Sequence, residues 1–239
     1  MGLTLLMQTN SNAEITSPQS PPSGGSKAVR IKVCGMTDLN QMHQLGDMGV
    51  QFAGMIFYHK SPRFVMRKLK GHDVKREKLK VFKIGVFVNA SYDEVMNHVD
   101  NFGLDMVQLH GDESAKYCEK LSNYISVINA FRLTESDHIE WKIRDYFEDT
   151  DMYMFDTEGA GYGGTGKKFD WKKLHGLNID KPFFLSGGIE PGDVDAIKNF
   201  MTDPVAKDLF ALDINSRFEI SPGVKDMDKV REFVSHFKQ

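Results

Sequence analysis

Residues 31–37 read IKVCGMT, and this stretch decides how the rest of the chain is interpreted. A short apolar run ends at Cys34, a glycine follows, and Thr37–Asp38 then provides polar groups suited to begin a helix. A second apolar run, YMFDT at 153–157, also ends in a single ionisable group, Asp156. If both runs are strands of one parallel barrel, Cys34 and Asp156 lie on the same rim, where such barrels place their chemistry.

Similar apolar runs recur along the chain, with amphipathic segments between them. None alternates cleanly between apolar and polar residues, which indicates strands buried on both faces of a parallel sheet. Eight such βα units in about 210 residues predict an α/β fold, a single (β/α)8 barrel of the TIM type. The predicted strands are Arg30–Cys34, Phe52–Phe57, Lys83–Val88, Met106–His110, Val127–Phe131, Met152–Asp156, Pro182–Ser186 and Phe210–Ile214.

The segments between these runs predict helices, with N-caps at Thr37–Asp38, Ser91 and Asp112. An open doubly wound sheet is the alternative architecture. That fold favours a Gly-x-Gly-x-x-Gly motif after the first strand, and the turn after Cys34 lacks one. The predicted helices span Asp38–Met48, Tyr92–Asn101, Glu113–Leu121, Asp137–Tyr146, Pro191–Phe200 and Asp226–Phe237.

The composition of the 239 residues excludes several classes of protein. With 41% hydrophobic and 26% charged residues, the chain can bury a large core. A net charge of -3 argues against a nucleic-acid partner, which normally meets a basic face. The two cysteines, Cys34 and Cys118, are too few for a disulfide framework, so we expect a cytoplasmic protein. No apolar run approaches the ~20 residues needed to cross a bilayer, so no membrane partner is expected.

The first 28 residues differ in composition from the rest of the chain. Residues 11–26 are rich in Ser, Pro, Asn and Gly, and residues 2–7 form an apolar patch too short for a signal peptide. Such a segment cannot bury enough apolar surface to offset the entropy of ordering it. We therefore predict a disordered leader at 1–28 and one catalytic barrel domain at 29–239.

Cys34 and Asp156 are the candidate catalytic residues. The helix start after Cys34 favours a reactive thiolate, although a buried cysteine, as we expect for Cys118, is commonly a small apolar residue. A carboxylate at a strand end is often only a helix N-cap, but residues 158–167 after Asp156 are too glycine-rich to begin a helix. We predict that 158–167 is a mobile lid, with a plain connector as the alternative. A thiol and a carboxylic acid facing one cavity could act as base and acid on a small substrate.

The loops after the seventh and eighth predicted strands are candidates for phosphate binding. Barrels of this kind commonly bind phosphate there, through exposed amides and the start of a short helix. Gly187 and Gly188 lie in the first of these loops. Asp213, Asn215 and Ser216 lie at the second. We therefore expect a phosphorylated small-molecule substrate.

Arg63 and His110 are two further candidates on the rim. Arg63 follows the second strand, where its guanidinium could hold a substrate carboxylate in a two-pronged contact, with a solvated loop arginine as the alternative. His110 closes the fourth strand. No second histidine or carboxylate stands at metal-ligand spacing beside it, and no dinucleotide motif is present, so we expect no metal and no cofactor.

Taken together, these segments resemble the phosphoribosylanthranilate isomerases of tryptophan biosynthesis. The resemblance runs from about Val29 to the C-terminus, and its specificity lies in the combination of motifs in one order. These motifs are KVCGMT at 32–37, FY at 57–58 with SPR at 61–63, GVFVN at 85–89, VQLHG at 107–111, FDT at 155–157, YGGTGK at 162–167 with FDW at 169–171, and LSGG at 185–188.

The resemblance implies a (β/α)8 barrel that catalyses the Amadori rearrangement of N-(5-phosphoribosyl)anthranilate without a cofactor. Asp156 would be the general acid that protonates the furanose ring oxygen, and Cys34 the general base that removes the proton from C2. The implied substrate-binding residues are Arg63 for the anthranilate carboxylate, main-chain groups of Gly188, Asn215 and Ser216 for the phosphate, and His110 in a supporting role.

Two alternatives stay open at this point. A histidine-pathway aminoaldose isomerase would carry an aspartate where Cys34 stands. A catalytically silent barrel that binds a phosphorylated metabolite could keep Gly188 and Ser216, but it would not need both Cys34 and Asp156. Arg217 departs from the family, which often has a small residue there, so it either adds a phosphate contact or points outward. The expected assembly is a monomer or a homodimer.

Overall fold

The computed structural model describes residues 29–134, 136–157 and 170–238. The predicted leader at 1–28 and the predicted lid at 158–167 lie outside the described residues, so both stay predictions. Eight parallel strands close into one barrel, in which the first strand pairs with both the second and the eighth. The strands are β1 Arg30–Val33, β2 Phe52–Ile56, β3 Phe82–Phe87, β4 Met106–Leu109, β5 Ser126–Leu133, β6 Met152–Thr157, β7 Phe183–Leu185 and β8 Leu209–Ile214.

The predicted (β/α)8 barrel is confirmed, and the doubly wound alternative is wrong. The helices within the described ranges lie outside the barrel, and each predicted helix has a counterpart near its expected position. None of these helices has the length and apolarity that a membrane crossing requires. The helices are α1 Leu39–Asp47, α2 Gly71–Arg76, α3 Tyr92–Phe102, α4 Ala115–Ser122, α5 Ile139–Arg144, α6 Val194–Phe200 and α7 Met227–Ser235.

Side-chain caps fix the starts of several helices. Asp38 accepts a hydrogen bond from the Gln41 amide (2.9 Å), and Ser91 accepts one from the Glu94 amide, so these two predicted N-caps are confirmed. Asp112 is not an N-cap. Ser114 caps α4 instead, because that helix begins two residues later than predicted, and Asp112 pairs with Arg132.

The interior of the barrel is apolar at the amino ends of the strands. Phe52 on β2 and Phe184 on β7 lie on strands that are not neighbours, yet their ring centroids are 5.7 Å apart. Phe210 of β8 completes this cluster, 5.4 Å from Phe184. The interior therefore closes at the bottom with aromatic side chains, while buried polar groups occupy its upper part: Lys32, Gln108, His110, Ser186 and Asp213.

A short hairpin follows β8 and was not predicted. Its strands are β9 Glu219–Ser221 and β10 Val224–Lys225, which pair antiparallel. The hydroxyl of Thr37, at the turn after β1, donates to the Gly223 carbonyl at 2.7 Å. The hairpin is thereby held against the loop that carries Cys34.

Candidate active site

Cys34 is the first residue beyond β1, at the carboxyl end of the barrel. Its amide donates to the Ile214 carbonyl at the end of β8 (2.9 Å), and its side chain is buried. Gly54 on β2 makes room for it: a Cβ at position 54 would be 3.0 Å from Cys34 Sγ and 3.2 Å from Lys32 Cε. The sulfur and the Lys32 side chain therefore share the space that glycine leaves at the top of the barrel.

Lys32 is a fully buried cation inside the barrel. Its Nζ donates to Asp213 Oδ1 at 2.8 Å, and its charge also interacts with the Cys34 side chain. Burial alone would lower the pKa of Lys32, but the Asp213 carboxylate and Cys34 outweigh burial and raise it. The ammonium form is therefore the stable one at neutral pH.

The pKa of Cys34 differs from the sequence-based expectation. Burial raises the pKa of this thiol above its ordinary value; Lys32 and Lys225 act in the opposite direction, and Asp213 adds to the rise. Helix α1 begins only at Leu39, so its amides are not adjacent to the sulfur. What favours a thiolate here is the pair of buried lysines rather than a helix start.

Asp156 occupies the carboxyl end of β6 beside His110. Asp156 Oδ1 accepts from the Thr157 amide at 2.8 Å, and Oδ2 lies 3.3 Å from His110 Nε2. Gln108 Nε2 donates to His110 Nδ1 at 2.6 Å, which leaves the ring proton of a neutral histidine on Nε2, facing Asp156. His110 Nε2 and Asp156 are close but not aligned for a hydrogen bond, and among the described residues Nε2 has no other partner.

Asp213 connects the two halves of the site. Burial raises the pKa of this carboxyl, Lys32 opposes the rise, and the Asp156 carboxylate adds to it. Asp213 also raises the pKa of Cys34. Cys34 follows β1 and Asp156 lies near the end of β6, so both stand at the carboxyl end of the same closed barrel, with Asp213 of β8 between them electrostatically.

Arg63 is a largely buried rim residue and not a solvated loop arginine, since its side chain is only 11% exposed. Its stem lies over Gly35, where a Cβ would be 2.6 Å from Arg63 Cδ. Arg63 Nε donates to Glu219 Oε1 at 2.8 Å, and Nη2 donates to Glu219 Oε2 at 2.6 Å. Lys225 Nζ shares the same carboxylate at 2.8 Å. The remaining donors of Arg63 are those of Nη1 and one on Nη2.

The two predicted phosphate loops lie after β7 and β8. Gly187 and Gly188 both have left-handed backbone angles (φ 91° and 75°), and no hydrogen-bond acceptor for their amides lies within the described part of the chain. A single 3-10 turn, Ser216–Phe218, follows β8. The Asn215 side chain accepts from Lys225 Nζ at 2.8 Å, and the Asn215 carbonyl accepts from the Phe218 amide at 3.1 Å. The Asn215 main-chain amide, which has no acceptor within the described residues, is left for a ligand. The two loops therefore present amides with no acceptor on the same rim.

Arg217 is half exposed, and its Nε lies 4.0 Å from Glu190 Oε2 in the loop after β7. This contact links the two loops. Within residues 29–134, 136–157 and 170–238, no group of three or more His, Cys, Asp or Glu side chains is arranged to hold a metal ion.

Four residues of this site were missed by sequence reasoning: Lys32, Gln108, Glu219 and Lys225. Lys32 and Gln108 carried a signal, because each is a polar residue inside an otherwise apolar run. Glu219 and Lys225 carried none, since β9 and β10 are too short to show a period.

Comparison with known proteins agrees with the family resemblance of the sequence. A family model described as N-(5'phosphoribosyl)anthranilate (PRA) isomerase matches residues 31–236. The N-(5'-phosphoribosyl)anthranilate isomerase of Parabacteroides distasonis is 41% identical over 206 residues, which cover 85% of this chain and 91% of that protein.

Solved structures agree in fold. The phosphoribosyl anthranilate isomerase of Thermotoga maritima superposes with a TM-score of 0.74 at 31% identity, covering 87% of this chain and 98% of the other. Another solved structure is of a phosphoribosyl anthranilate isomerase in complex with reduced 1-(o-carboxyphenylamino)-1-deoxyribulose 5-phosphate. It matches with a TM-score of 0.70 at 28% identity, over 87% of this chain and 98% of its own.

Proposed function

The chain belongs to the N-(5'-phosphoribosyl)anthranilate isomerase family, and we propose that Cys34 is the general base and Asp156 the general acid of its reaction. That reaction is the Amadori rearrangement of N-(5-phosphoribosyl)anthranilate to 1-(2-carboxyphenylamino)-1-deoxyribulose 5-phosphate, a step of tryptophan biosynthesis. The observation that carries the assignment is the position of both residues at the carboxyl ends of strands of one closed barrel, Cys34 directly after β1 and Asp156 near the end of β6.

Ring opening is the step that needs an acid. Asp156 gives its proton to the furanose ring oxygen, the bond from that oxygen to C1 breaks, and the anilino nitrogen forms a C=N bond to C1. The carboxylate left on Asp156 faces His110 Nε2 at 3.3 Å. The ring N–H of His110 can then align with the new negative charge, which gives His110 its supporting role.

Tautomerisation is the step that needs a base. The thiolate of Cys34 takes the proton from C2, and the electron pair moves toward the iminium nitrogen to give an enolamine. The enolamine then loses its hydroxyl proton and gains a proton at C1, which yields the ketone. The proton count of the substrate is unchanged, so no oxidant or reductant takes part.

Substrate binding uses both sides of the rim. The free donors of Arg63 hold the anthranilate carboxylate, because Glu219 has already fixed the guanidinium plane. The main-chain groups of Gly187, Gly188, Asn215 and Ser216 bind the phosphate. Asp213, predicted as a substrate-binding residue, holds Lys32 Nζ and accepts from Ser186 Oγ at 3.3 Å; its contact with substrate stays a prediction.

Loss of phosphoribosylanthranilate fluorescence tests this proposal without added metal or cofactor. We expect Cys34→Ala and Asp156→Asn to keep their circular dichroism spectra but to lose roughly 10²–10⁴-fold in kcat, the usual contribution of a positioned acid or base. Cys118→Ala is the matched control: this cysteine is buried against Asn129 in the core, and its removal should leave turnover nearly unchanged. Near-normal turnover by Cys34→Ala would remove the base assignment, and no turnover by the parent protein would favour the silent barrel.

We also propose that the enzyme is cytoplasmic and is a monomer or a homodimer. Both cysteines are free and buried, as expected of a protein in a reducing compartment. Light scattering coupled to gel filtration distinguishes the two assemblies, and a larger assembly would contradict both.

A further inference from the structure

We propose that Lys32 is the positioning residue of the Cys34 base: its ammonium, anchored by Asp213 inside the barrel, holds the sulfur in place and stabilises its thiolate form. This inference rests on the proposed role of Cys34. It concerns a residue inside β1 that does not reach the rim, so Lys32 acts on the substrate only through Cys34.

The anchor of Lys32 is formed by β8 and the loop after β7. Asp213 Oδ1 holds Lys32 Nζ at 2.8 Å, while Asp213 Oδ2 accepts from Ser186 Oγ at 3.3 Å. Both oxygens are therefore occupied, and the carboxylate cannot rotate away without losing a partner. The lysine is fixed in position rather than free to swing toward solvent.

The sulfur lies within reach of this fixed ammonium. The stem of Lys32 and the sulfur share the space beside Gly54, where a Cβ would lie 3.2 Å from Lys32 Cε and 3.0 Å from Cys34 Sγ. The charge of the ammonium at the end of that stem favours the thiolate form of Cys34. The neighbours Ile31 and Val33 point outward into the apolar layer, so alternation along β1 directs Lys32 inward. The placement is set by the strand and not by a flexible loop.

Three charged groups act on the Cys34 sulfur, and their effects on it are unequal. Lys32 faces it from β1 and Lys225 from β10, while Asp213 faces it from β8. Lys225 is already bound by Glu219 and Asn215, each at 2.8 Å. Further from the sulfur, Arg63 and Glu219 lie behind Lys225. Asp156 and His110 lie on the far side of Asp213. A negative charge on sulfur is thus compensated most directly by Lys32.

A purely structural role for Lys32 is the competing explanation, in which the lysine only neutralises Asp213. Buried ion pairs are weak stabilisers, and apolar replacements of both partners are often tolerated, so stability alone gives little reason for this pair. The two explanations predict different directions for the change in the pKa of the Cys34 thiol. If the pair is only structural, removing either charge disturbs Cys34 in the same way; if charge acts on the sulfur, the two removals act oppositely.

Titration of the thiol by NMR separates these explanations. In protein labelled with [3-¹³C]cysteine, the Cβ shift reports ionisation, and Cys34→Ala assigns the two resonances. We expect Lys32→Met to raise the thiol pKa by about one unit or more, a tenfold smaller ratio of thiolate to thiol, and Asp213→Asn to lower it. In Lys32→Met, kcat should fall about tenfold or more with little change in KM, and the pH at which kcat/KM rises should move upward with the thiol.

Shifts of the same sign in Lys32→Met and Asp213→Asn, or an unchanged thiol titration in Lys32→Met, would overturn the inference. If Lys32→Met alone does not fold, Lys32→Met/Asp213→Asn removes both charges together. Its thiol pKa should lie above that of the parent, because Lys32 acts on the sulfur more strongly than Asp213 does. A value at or below that of the parent would contradict the inference. The titration is independent of turnover, so its result stands apart from the test of Cys34 as the base.

Discussion

Arg63 meets Glu219 through two nitrogens, and this contact determines what the arginine can bind. With Nε and one Nη2 hydrogen committed to Glu219, the guanidinium plane is fixed and its outer edge is left for a ligand. A planar carboxylate such as that of anthranilate fits this edge. Glu219 therefore orients Arg63 by binding two of its five N–H donors, and the other three are left for a ligand.

The Arg63→Ala variant tests this use of the guanidinium. We expect KM for the substrate to rise roughly tenfold or more, since a hydrogen bond to a charged group contributes about 1.5–3 kcal/mol. The affinity for ribose 5-phosphate, measured as an inhibition constant, should change far less. Arg67→Ala is the matched control, because Arg67 is exposed and donates to the Ser61 and His59 carbonyls of the same loop. Equal weakening of substrate and ribose 5-phosphate would contradict a carboxylate contact.

The limits of sequence reasoning are clearest at single residues. Cys34 and Asp156 could be placed on one rim because each ends an apolar run, and in a parallel barrel all strand ends of one kind meet. The partner of Lys32 could not be predicted, because Asp213 lies 181 residues away and only barrel closure between β1 and β8 joins them. Lys32 and Asp213 were both visible in the sequence, but the contact between them was not.

At the scale of elements, the strands were predictable and the short connections were not. Buried strands are continuous apolar runs, so their bounds lie close to those expected. Helix α2 was missed because its six residues bury only Val74 and show no period. The strands of the β9–β10 hairpin are likewise too short to show a period, so the hairpin was not predicted. Glu219, whose carboxylate holds Arg63, was missed with it.

Strand β2 offers a test of packing at the site. In Gly54→Ala the new methyl group would meet Cys34 Sγ at 3.0 Å and Cys34 Cα at 3.2 Å, so Cys34 must move. We expect a loss of about 1–3 kcal/mol in the free energy of unfolding, together with a clear fall in kcat.

Gly85→Ala on β3 is the control for Gly54→Ala. Its methyl group would meet Leu104 Cδ1 at 2.5 Å and Phe87 Cε2 at 2.7 Å, both outside the site. This variant should lose stability with nearly normal kcat. Equal kcat losses in the two variants, compared by urea unfolding and turnover, would mean that Gly54 does not act through Cys34.

At the scale of the whole molecule, the barrel interior is apolar at the bottom and charged at the top. The charged groups at the top make the free energy of unfolding depend on pH. Burial alone would raise the pKa of Glu219, but Arg63 and Lys225 outweigh burial and hold it below its ordinary value of 4.5. Ionised Glu219 therefore stabilises the fold fully above pH 4.5, and this stabilisation is lost as pH falls through the folded-state pKa.

The Glu219→Gln variant removes this contribution. We expect the difference in free energy of unfolding between parent and variant to be largest at neutral pH and to shrink below pH 4.5. Urea unfolding at a series of pH values measures it. Glu77→Gln is the control, since Glu77 is an exposed partner of His43 and should show little difference at any pH. A difference for Glu219→Gln that stayed constant into the acid range would contradict the sign of this linkage.

The measurement closest to the central claim is single-turnover kinetics of the Cys34→Ala and Asp156→Asn variants with hydrogen or deuterium at C2 of the substrate. If the two residues serve successive steps on one sugar, deuterium should slow Cys34→Ala, in which C–H cleavage limits the rate. The same label should leave Asp156→Asn unaffected, because ring opening limits that variant. An isotope effect confined to Asp156→Asn, or a normal rate in Cys34→Ala, would contradict the assignment of acid and base.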